Sequence, residues 1–357
     1  LKSNVNLHLD FGTLLLGSTR LSDYDNAFPF KDGSMNQSSG LLFARGQKNI
    51  SITGFGTIDG QGGNKTFQFG NDADGGPKRP KIIYFVECKG IVVTDVTLRN
   101  SAYWVQHYEK CEDVTIRGLK VFSHCNYNND GLDIDAKNAT ISDCYIDVED
   151  DAICFKSDHP EFCENITVTN CVTASNCNAI KFGTASHGGY RNIAVSNCVV
   201  RRAAEDNIRH WSKQLEHISA DVTVISGVAI EMVDGGIIDG ITVSNISMRD
   251  VQTPIFIRLG DRNRTYRKED GDSDYCPDTY SFDYGFYPSV FKANNLDGQP
   301  ENDPTRPLEY FTSFNVMDMY SYKNSLSIDQ VKRLRMVLQQ CPSRWAYKSD
   351  WAFTGGN

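Results

Sequence analysis

From Asn49 onward one short pattern recurs: β-branched residues alternate with polar ones, and a small or polar residue closes the run. It appears as NISITG (from Asn49), GIVVTD (Gly90), DVTIRG (Asp113), NATISD (Asn138), NITVTN (Asn165), NIAVSN (Asn192) and GITVSN (Gly240). Alternation with period two marks a strand with one buried face. The closing residues Asp143, Asn170, Asn197 and Asn245 suit a turn, because their short side chains bond to nearby backbone. Measured from Gly90, the steps between motifs are 23, 25, 27, 27 and 48 residues. Units this short cannot bury their own apolar face, so they must stack and share one core. With two or three strands per unit and no helical period, the pattern predicts an all-β chain folded as a right-handed parallel β-helix. The longest step predicts an extra turn or insertion between Arg201 and Ser226.

A second strand follows each motif: GLDID (131–135), AICFK (152–156), AIKFG (179–183), VAIEM (228–232) and PIFIR (254–258). Stacked in register, Leu132 and Ile134, Ile153 and Phe155, Ile180 and Phe182, Val228 and Ile230, and Ile255 and Ile257 face the core. The other positions form two outward rows, Asp133-Cys154-Lys181-Ala229-Phe256 and Asp135-Lys156-Gly183-Glu231-Arg258, expected on an exposed sheet face. The second row reads either as a cross-strand ion-pair ladder or as a substrate-binding surface. Cys144, Cys171 and Cys198 fall 27 residues apart at one place in three units, which predicts stacked core thiols.

Past Arg258 the pattern fades, so the β-helix is assigned to residues 1–262 and an irregular extension to 263–357. One amphipathic α-helix is predicted there at about 328–340. Ser327 and Gln330 form its capping box, Ile328, Val331, Leu334, Val337 and Leu338 share one face, and Cys341-Pro342 ends it.

Composition narrows the function. A formal net charge of −9 without clusters of Lys and Arg argues against a nucleic-acid partner. No run of 18 apolar residues is present to span a membrane. The 11 cysteines include no CxxC pair, so neither a metal nor another cofactor is predicted. The chain opens in a strand-like run without an initiator Met or a basic leader, and removal of an N-terminal segment is expected.

Within Asn128–Ser157 two acidic clusters lie one repeat apart: Asp130, Asp133 and Asp135, then Asp147, Glu149, Asp150 and Asp151. Stacking turns a separation of 20 or 21 residues into neighbouring carboxylates, the raw material of acid–base chemistry at a sugar. Several segments in order, GFGTIDGQGG (54–63), RPKIIYF (79–85), NSAYWVQHYEKCEDVTI (100–116), NNDGLDID (128–135) and EDDAICFKS (149–157), resemble glycoside hydrolase family 28, the polygalacturonases and related pectin hydrolases. The resemblance implies a β-helix, secretion or a periplasmic location, and a polysaccharide or oligosaccharide substrate. It also implies Asp150 as the general acid, with Asp130 and Asp151 activating the attacking water in an inverting hydrolysis.

The chain departs from the family pattern beyond these carboxylates. Where the family carries Gly-His-Gly stand Cys177, Asn178 and Ala179, and where it carries Arg-Ile-Lys stand Ala229, Ile230 and Glu231. Family members that cut rhamnose-containing or decorated pectins share these losses, so such a substrate is expected ahead of plain polygalacturonan. Lys181 is the candidate replacement contact for a uronate carboxylate, with Lys156 and Arg258 behind it; Asn178, Glu231, His107 and His187 complete the candidate substrate-binding set. A Ca²⁺-dependent β-helix lyase and a non-catalytic carbohydrate-binding β-helix are the alternatives. The lyase would need a basic residue to abstract a proton, and no Arg or Lys occupies the matched motif.

Overall fold

The computed structural model describes residues 1–24, 39–67, 79–204 and 224–260. Every strand pairing among them is parallel and joins one coil to the next, giving a parallel β-helix with three sheets running along its length. The first sheet stacks Gly40–Arg45, Lys81–Val86, the start of Gln106–Arg117, the start of Leu132–Ser142, Ile153–Ser157, Asn178–Ser186, Val224–Met232 and Val251–Leu259. The recurring motif builds the second sheet, and short strands such as Lys120–Ser123, Tyr145–Val148 and Val172–Ser175 build the third. Helical structure among the described residues is limited to two short 3-10 turns, Leu21–Tyr24 and Lys65–Phe67, and no helix there is long and apolar enough to cross a membrane.

The corners explain the sequence motif. Asp113, Asn138, Asn165 and Asn192, at one corner, all have φ between 53° and 58°, a left-handed conformation that Asn and Asp tolerate better than other side chains. Stacked coil on coil, their amides bond along the axis: Asn138 Nδ2 to Asp113 Oδ1 at 3.2 Å, Asn165 to Asn138 at 3.2 Å, and Asn192 to Asn165 at 2.8 Å. The next corner repeats the device, with Asn170 donating to Asp143 at 3.3 Å and Asn245 to Asn197 at 3.2 Å. Each such residue both bends the chain and pins its register to the coil beside it.

Between corners the core is a set of rungs. The register Leu132–Ile153–Ile180–Val228 and Ile134–Phe155–Phe182–Ile230 is the expected one, and Phe155 and Phe182 stack with centroids 4.4 Å apart. Cys144, Cys171 and Cys198 are buried, each thiol reaching the carbonyl two residues earlier at 3.2–3.3 Å. None of the three is in a disulfide, and neither are Cys163 and Cys177. On the last described coil Ile255 and Ile257 occupy core rungs yet are 64% and 66% exposed, since no further described strand pairs beyond them.

One expectation is overturned. The outward face of the first sheet is largely closed over its middle coils, not exposed: Asp133, Cys154 and Ala229 have no accessible surface, and Asp135 and Lys156 are 5% and 6% exposed, whereas Phe256 and Arg258 on the last described coil are exposed. Nor does the second outward row form a continuous charge ladder. The register slips between Phe155 and Ser157, and this irregularity swings Lys156 away from the row and toward Asp130 and Asp133. Only Glu231 and Arg258 remain register partners.

The chain divides into units Leu1–Gly260 and Asp261–Asn357. The second unit, with the helix expected at 328–340, lies outside the described residues, as does most of the insertion expected between Arg201 and Ser226.

The corner ladder yields a stability prediction. Asn165→Ala removes both amide bonds and places Cβ-bearing alanine at φ 58°, and is expected to cost about 1–2 kcal/mol. Asn165→Gly, which loses the bonds but not the backbone tolerance, should cost less. Denaturant midpoints of the two variants check the ordering; equal losses would show that the bonds alone matter.

Candidate active site

The turn Asn126–Gly131 delivers the first carboxylate, and its conformation is fixed by Asn129. This buried amide donates to the carbonyls of Ser101 and Tyr103, both at 2.9 Å, and accepts from Ser123 Oγ at 2.9 Å and the Asn126 amide at 3.2 Å. Gly131 follows because a Cβ there would lie 2.5 Å from Ile146 Cγ2 and 2.7 Å from the Ala152 carbonyl. One coil on, the Gly131 amide donates to the Asp151 carbonyl at 2.8 Å and the Val105 amide to that of Asp130 at 2.7 Å. These backbone rungs bring Asp130 side by side with Asp150 and Asp151.

All three carboxylates are at most 5% exposed. A carboxylate oxygen of Asp130 and one of Asp151 lie within 4.8 Å of each other, and the same holds for Asp150 and Asp151. Their surroundings differ sharply. Asp151 is enclosed by donors: Lys181 Nζ lies 2.9 Å from Oδ2, while Oδ1 accepts from Asn178 Nδ2 at 2.7 Å and from the Asn178 amide at 3.2 Å. Burial pushes its pKa up, but Lys181, Lys156 and Asn178 outweigh burial and hold it below the ordinary value. Asp130 Oδ1 is buried with no hydrogen-bond partner among the described residues, and its only ion pair there is Lys156 at 3.6 Å. Burial, then Asp133 and Asp150, raises its pKa well above normal. The surroundings of two neighbouring acids thus push them in opposite directions, Asp130 toward its protonated form and Asp151 toward its charged form. Asp150 accepts a long contact from Asn128 Nδ2 at 3.5 Å.

The donor groups Asp130-Asp151-Cys154 and Asp150-Asp151-Cys177 have a spacing that suits a cation. Positive charge is already supplied there by Lys156 and Lys181, so the residues do not fit a further metal ion well.

Of the residues singled out in the sequence, the structure brings Asp130, Asp150, Asp151, Asn178, Lys156 and Lys181 into one cluster, with Glu231 attached through Lys181 at 3.8 Å. His107 borders it: it pairs in register with Asp133 and its Nδ1 lies 2.9 Å from Lys81 Nζ. Burial, then the Lys81 ammonium, pushes the His107 pKa well down, so the ring is a neutral acceptor. Arg258 sits on the exposed last coil, and His187 lies beyond the far end of Asn178–Ser186, its amide bonded to the Ser157 carbonyl at 2.7 Å.

Several contributors carried no usable signal in the sequence. Arg79 donates to the carbonyls of Ala102 and Tyr127 and, at 2.9 Å, to Asn128 Oδ1, so it orients the amide facing Asp150. Lys81, fully buried, lies 3.9 Å from the centre of the Tyr84 ring and 4.7 Å from that of Trp104, and Lys156 meets Trp104 at 4.5 Å. Burial lowers the Lys81 pKa to about 8. Both cations stand in the segment RPKIIYF, whose resemblance was visible although their roles were not. Asp147, buried, joins His124 Nε2 at 2.8 Å, Arg201 Nη2 at 2.8 Å and the Ala204 amide at 3.0 Å, tying three coils together.

The fold and the carboxylate cluster meet in one class of enzyme, and sequence comparison gives the same answer. The model of glycosyl hydrolases family 28 matches residues 28–269, and the chain belongs to that family. A probable polygalacturonase of Vitis vinifera is 30% identical over 174 residues, 45% of this chain and 35% of that protein. A polygalacturonase of Saccharomyces cerevisiae is 29% identical over 157 residues, 42% of this chain and 41% of that one. The chain thus spans less than half the length of these curated relatives. Among solved structures, the polygalacturonase of Erwinia carotovora ssp. carotovora superposes with a TM-score of 0.55 at 22% identity, covering 70% of this chain and 65% of that one. A family 28 exopolygalacturonase of Yersinia enterocolitica gives 0.55 at 19% identity, covering 74% and 53%. At these identities the likeness concerns the fold.

The buried acids make stability depend on pH. Asp133 lies 3.2 Å from Lys156; burial raises its pKa and Lys156 partly reverses this, leaving it at about 6 against an ordinary 3.8. A carboxyl that binds its proton more tightly in the folded chain contributes stability below about pH 4, and that contribution is lost as pH rises through about 6. Asp133→Asn should therefore flatten the decline in denaturant midpoint between about pH 4 and 6 relative to the native protein. Parallel profiles for the two would show that Asp133 does not titrate in this window.

Proposed function

We propose that the protein is an inverting glycoside hydrolase that cleaves α-linked galacturonate or rhamnose bonds in pectic polysaccharide or its oligosaccharides. The observation that carries this reading is the gathering of Asp130, Asp150 and Asp151 from two successive coils, with the first two flanking Asp151 and with opposite proton affinities imposed on Asp130 and Asp151. Asp150 protonates the leaving glycosidic oxygen. Asp151, ionised, takes a proton from the attacking water, and Asp130 holds that water from the other side. The paired acids share one negative charge, so the water meets a base without two adjacent anions repelling each other. No step requires a covalent sugar–enzyme bond.

The substrate follows from where the cations are spent. Lys181 and Lys156 are both engaged with carboxylates of the cluster, and Glu231 adds a negative charge beside them. This arrangement favours a rhamnogalacturonan-type or decorated pectin over plain polygalacturonan, in which uronates occupy every position. The similarity to polygalacturonases of Vitis vinifera and Saccharomyces cerevisiae favours the plain polymer as a second reading. Mass analysis of products from polygalacturonan, rhamnogalacturonan and their oligomers decides: release confined to the rhamnose-containing polymer is expected, and efficient cutting of unbranched polygalacturonan overturns the preference.

Two measurements test the chemistry. Asp150→Asn should lower kcat by about 10²–10⁴-fold with substrate binding retained, and NMR of the first product formed should show the inverted anomer. Retained configuration would exclude the mechanism. An unsaturated product with activity lost in chelator would replace the hydrolase by a lyase.

A further inference from the structure

We infer that Lys181 is a positioning residue of this hydrolase: it clamps Asp151 in the orientation and charge state of the base, in the coil position next to Asn178, and does not bind substrate. The inference rests on the reading of Asp151 as the base given above. It also reverses the expectation, drawn from the sequence, that Lys181 grips a uronate.

The geometry argues for the clamp. The Lys181 side chain is 12% exposed, and its ammonium lies 2.9 Å from Asp151 Oδ2 and 3.8 Å from Glu231 Oε1. The ammonium thus lies between two carboxylates of its own chain, one on each neighbouring coil. It stands in register with Cys154 and Ala229, both without accessible surface, so neither neighbour on that row offers the ammonium a route to solvent. Asn178 holds the opposite oxygen of Asp151 with its amide side chain and its backbone. Neither interaction is interchangeable with the other: Asn178 is neutral and fixes direction, whereas Lys181 brings the charge.

That charge is needed because the surroundings of Asp151 are otherwise hostile to an anion. Asp130 faces it from the preceding coil, Asp133 acts on Lys156 beside it, Asp150 is its chain neighbour, and the thiols of Cys154 and Cys177 flank it. Among the described residues Lys156 is the other cation acting on Asp151, and it is held at 3.2 Å from Asp133 and 3.6 Å from Asp130. Without Lys181, burial and three carboxyl neighbours would favour a protonated Asp151, leaving the water with no base. Glu231 then has a defined part: it holds the ammonium from the far side, and the Lys181 side chain spans the two coils.

Lys181→Met, Lys181→Arg and Asp151→Asn, assayed on pectic oligosaccharides with and without uronate at the site of cleavage, test this. Lys181→Met should lower kcat/KM about 100-fold on the acid side, shift the acid limb of the pH profile upward, and recover part of the loss at higher pH, with KM little changed. Lys181→Arg, which keeps the charge, should restore the native limb. A raised KM confined to uronate substrates, with an unmoved acid limb, would make Lys181 a substrate contact and overturn the inference. A loss equal at every pH in both variants would make it merely structural, and would overturn it too. Asp151→Asn separates the two levels: if it retains activity, the assignment of Asp151 as base is wrong, whereas an inactive Asp151→Asn with an unmoved limb in Lys181→Met sinks only the role of Lys181. Because Lys181→Met exposes a buried carboxylate to loss of its partner, the Arg variant keeps the test valid if Met fails to fold.

Discussion

Everything at the site depends on register. In a parallel solenoid the distance between two residues is set by whether they occupy the same position on adjacent coils, and the sequence between them is irrelevant. Here that alignment is enforced at the corners, where left-handed Asn and Asp residues bond to their counterparts above and below. A slip of one residue would invert every side chain between core and surface. It would also separate Asp130 from Asp151, which meet only because the backbone rung Gly131 to Asp151 is in place.

Given that alignment, the electrostatics follow from burial. Three carboxylates and two lysines, Asp130, Asp150, Asp151, Lys156 and Lys181, are the charges that matter at this cluster. Removed from water, carboxylates of like charge cannot all ionise, and the positions of the two ammonium groups decide which ones do. Lys181 and the Asn178 amide side chain favour the charged form of Asp151, while burial and carboxyl neighbours push Asp130, with one oxygen lacking a partner among the described residues, toward its protonated form. A difference in function between neighbouring aspartates is thus a difference in what the next coil presents to them.

The fold was legible in the sequence because repetition is a long-range signal. The rungs Leu132–Ile153–Ile180–Val228, the cysteine row and the corner residues could each be aligned by eye, and the register observed is that alignment. The gathering of Asp130, Asp150 and Asp151, the proposed catalytic carboxylates, was legible for the same reason. What lay beyond reach was anything set by a side chain leaving its row: the approach of Lys156 to Asp130 and Asp133 beside the slip after Phe155, the pairing of Lys181 with Asp151, and the closure of much of a face expected to be open. Arg79 and Lys81 were hidden differently, because a charge buried against Tyr103, Tyr84 and Trp104 looks in sequence like any surface cation. Asp147 had no visible purpose, since its partners Arg201 and Ala204 lie 54 and 57 residues away.

The spacing of the coils carries one more meaning. The step from Asn192 to Gly240 is 48 residues where the two steps before it are 27, yet Ile180 still faces Val228 and Asn245 still donates to Asn197. A surplus of about twenty residues has been accommodated at one connection without disturbing the rungs on either side. Length in such a molecule is therefore a free variable at the corners and a fixed one along the sheets. A connection can be lengthened while the stacked strands and the carboxylate cluster they carry keep their geometry.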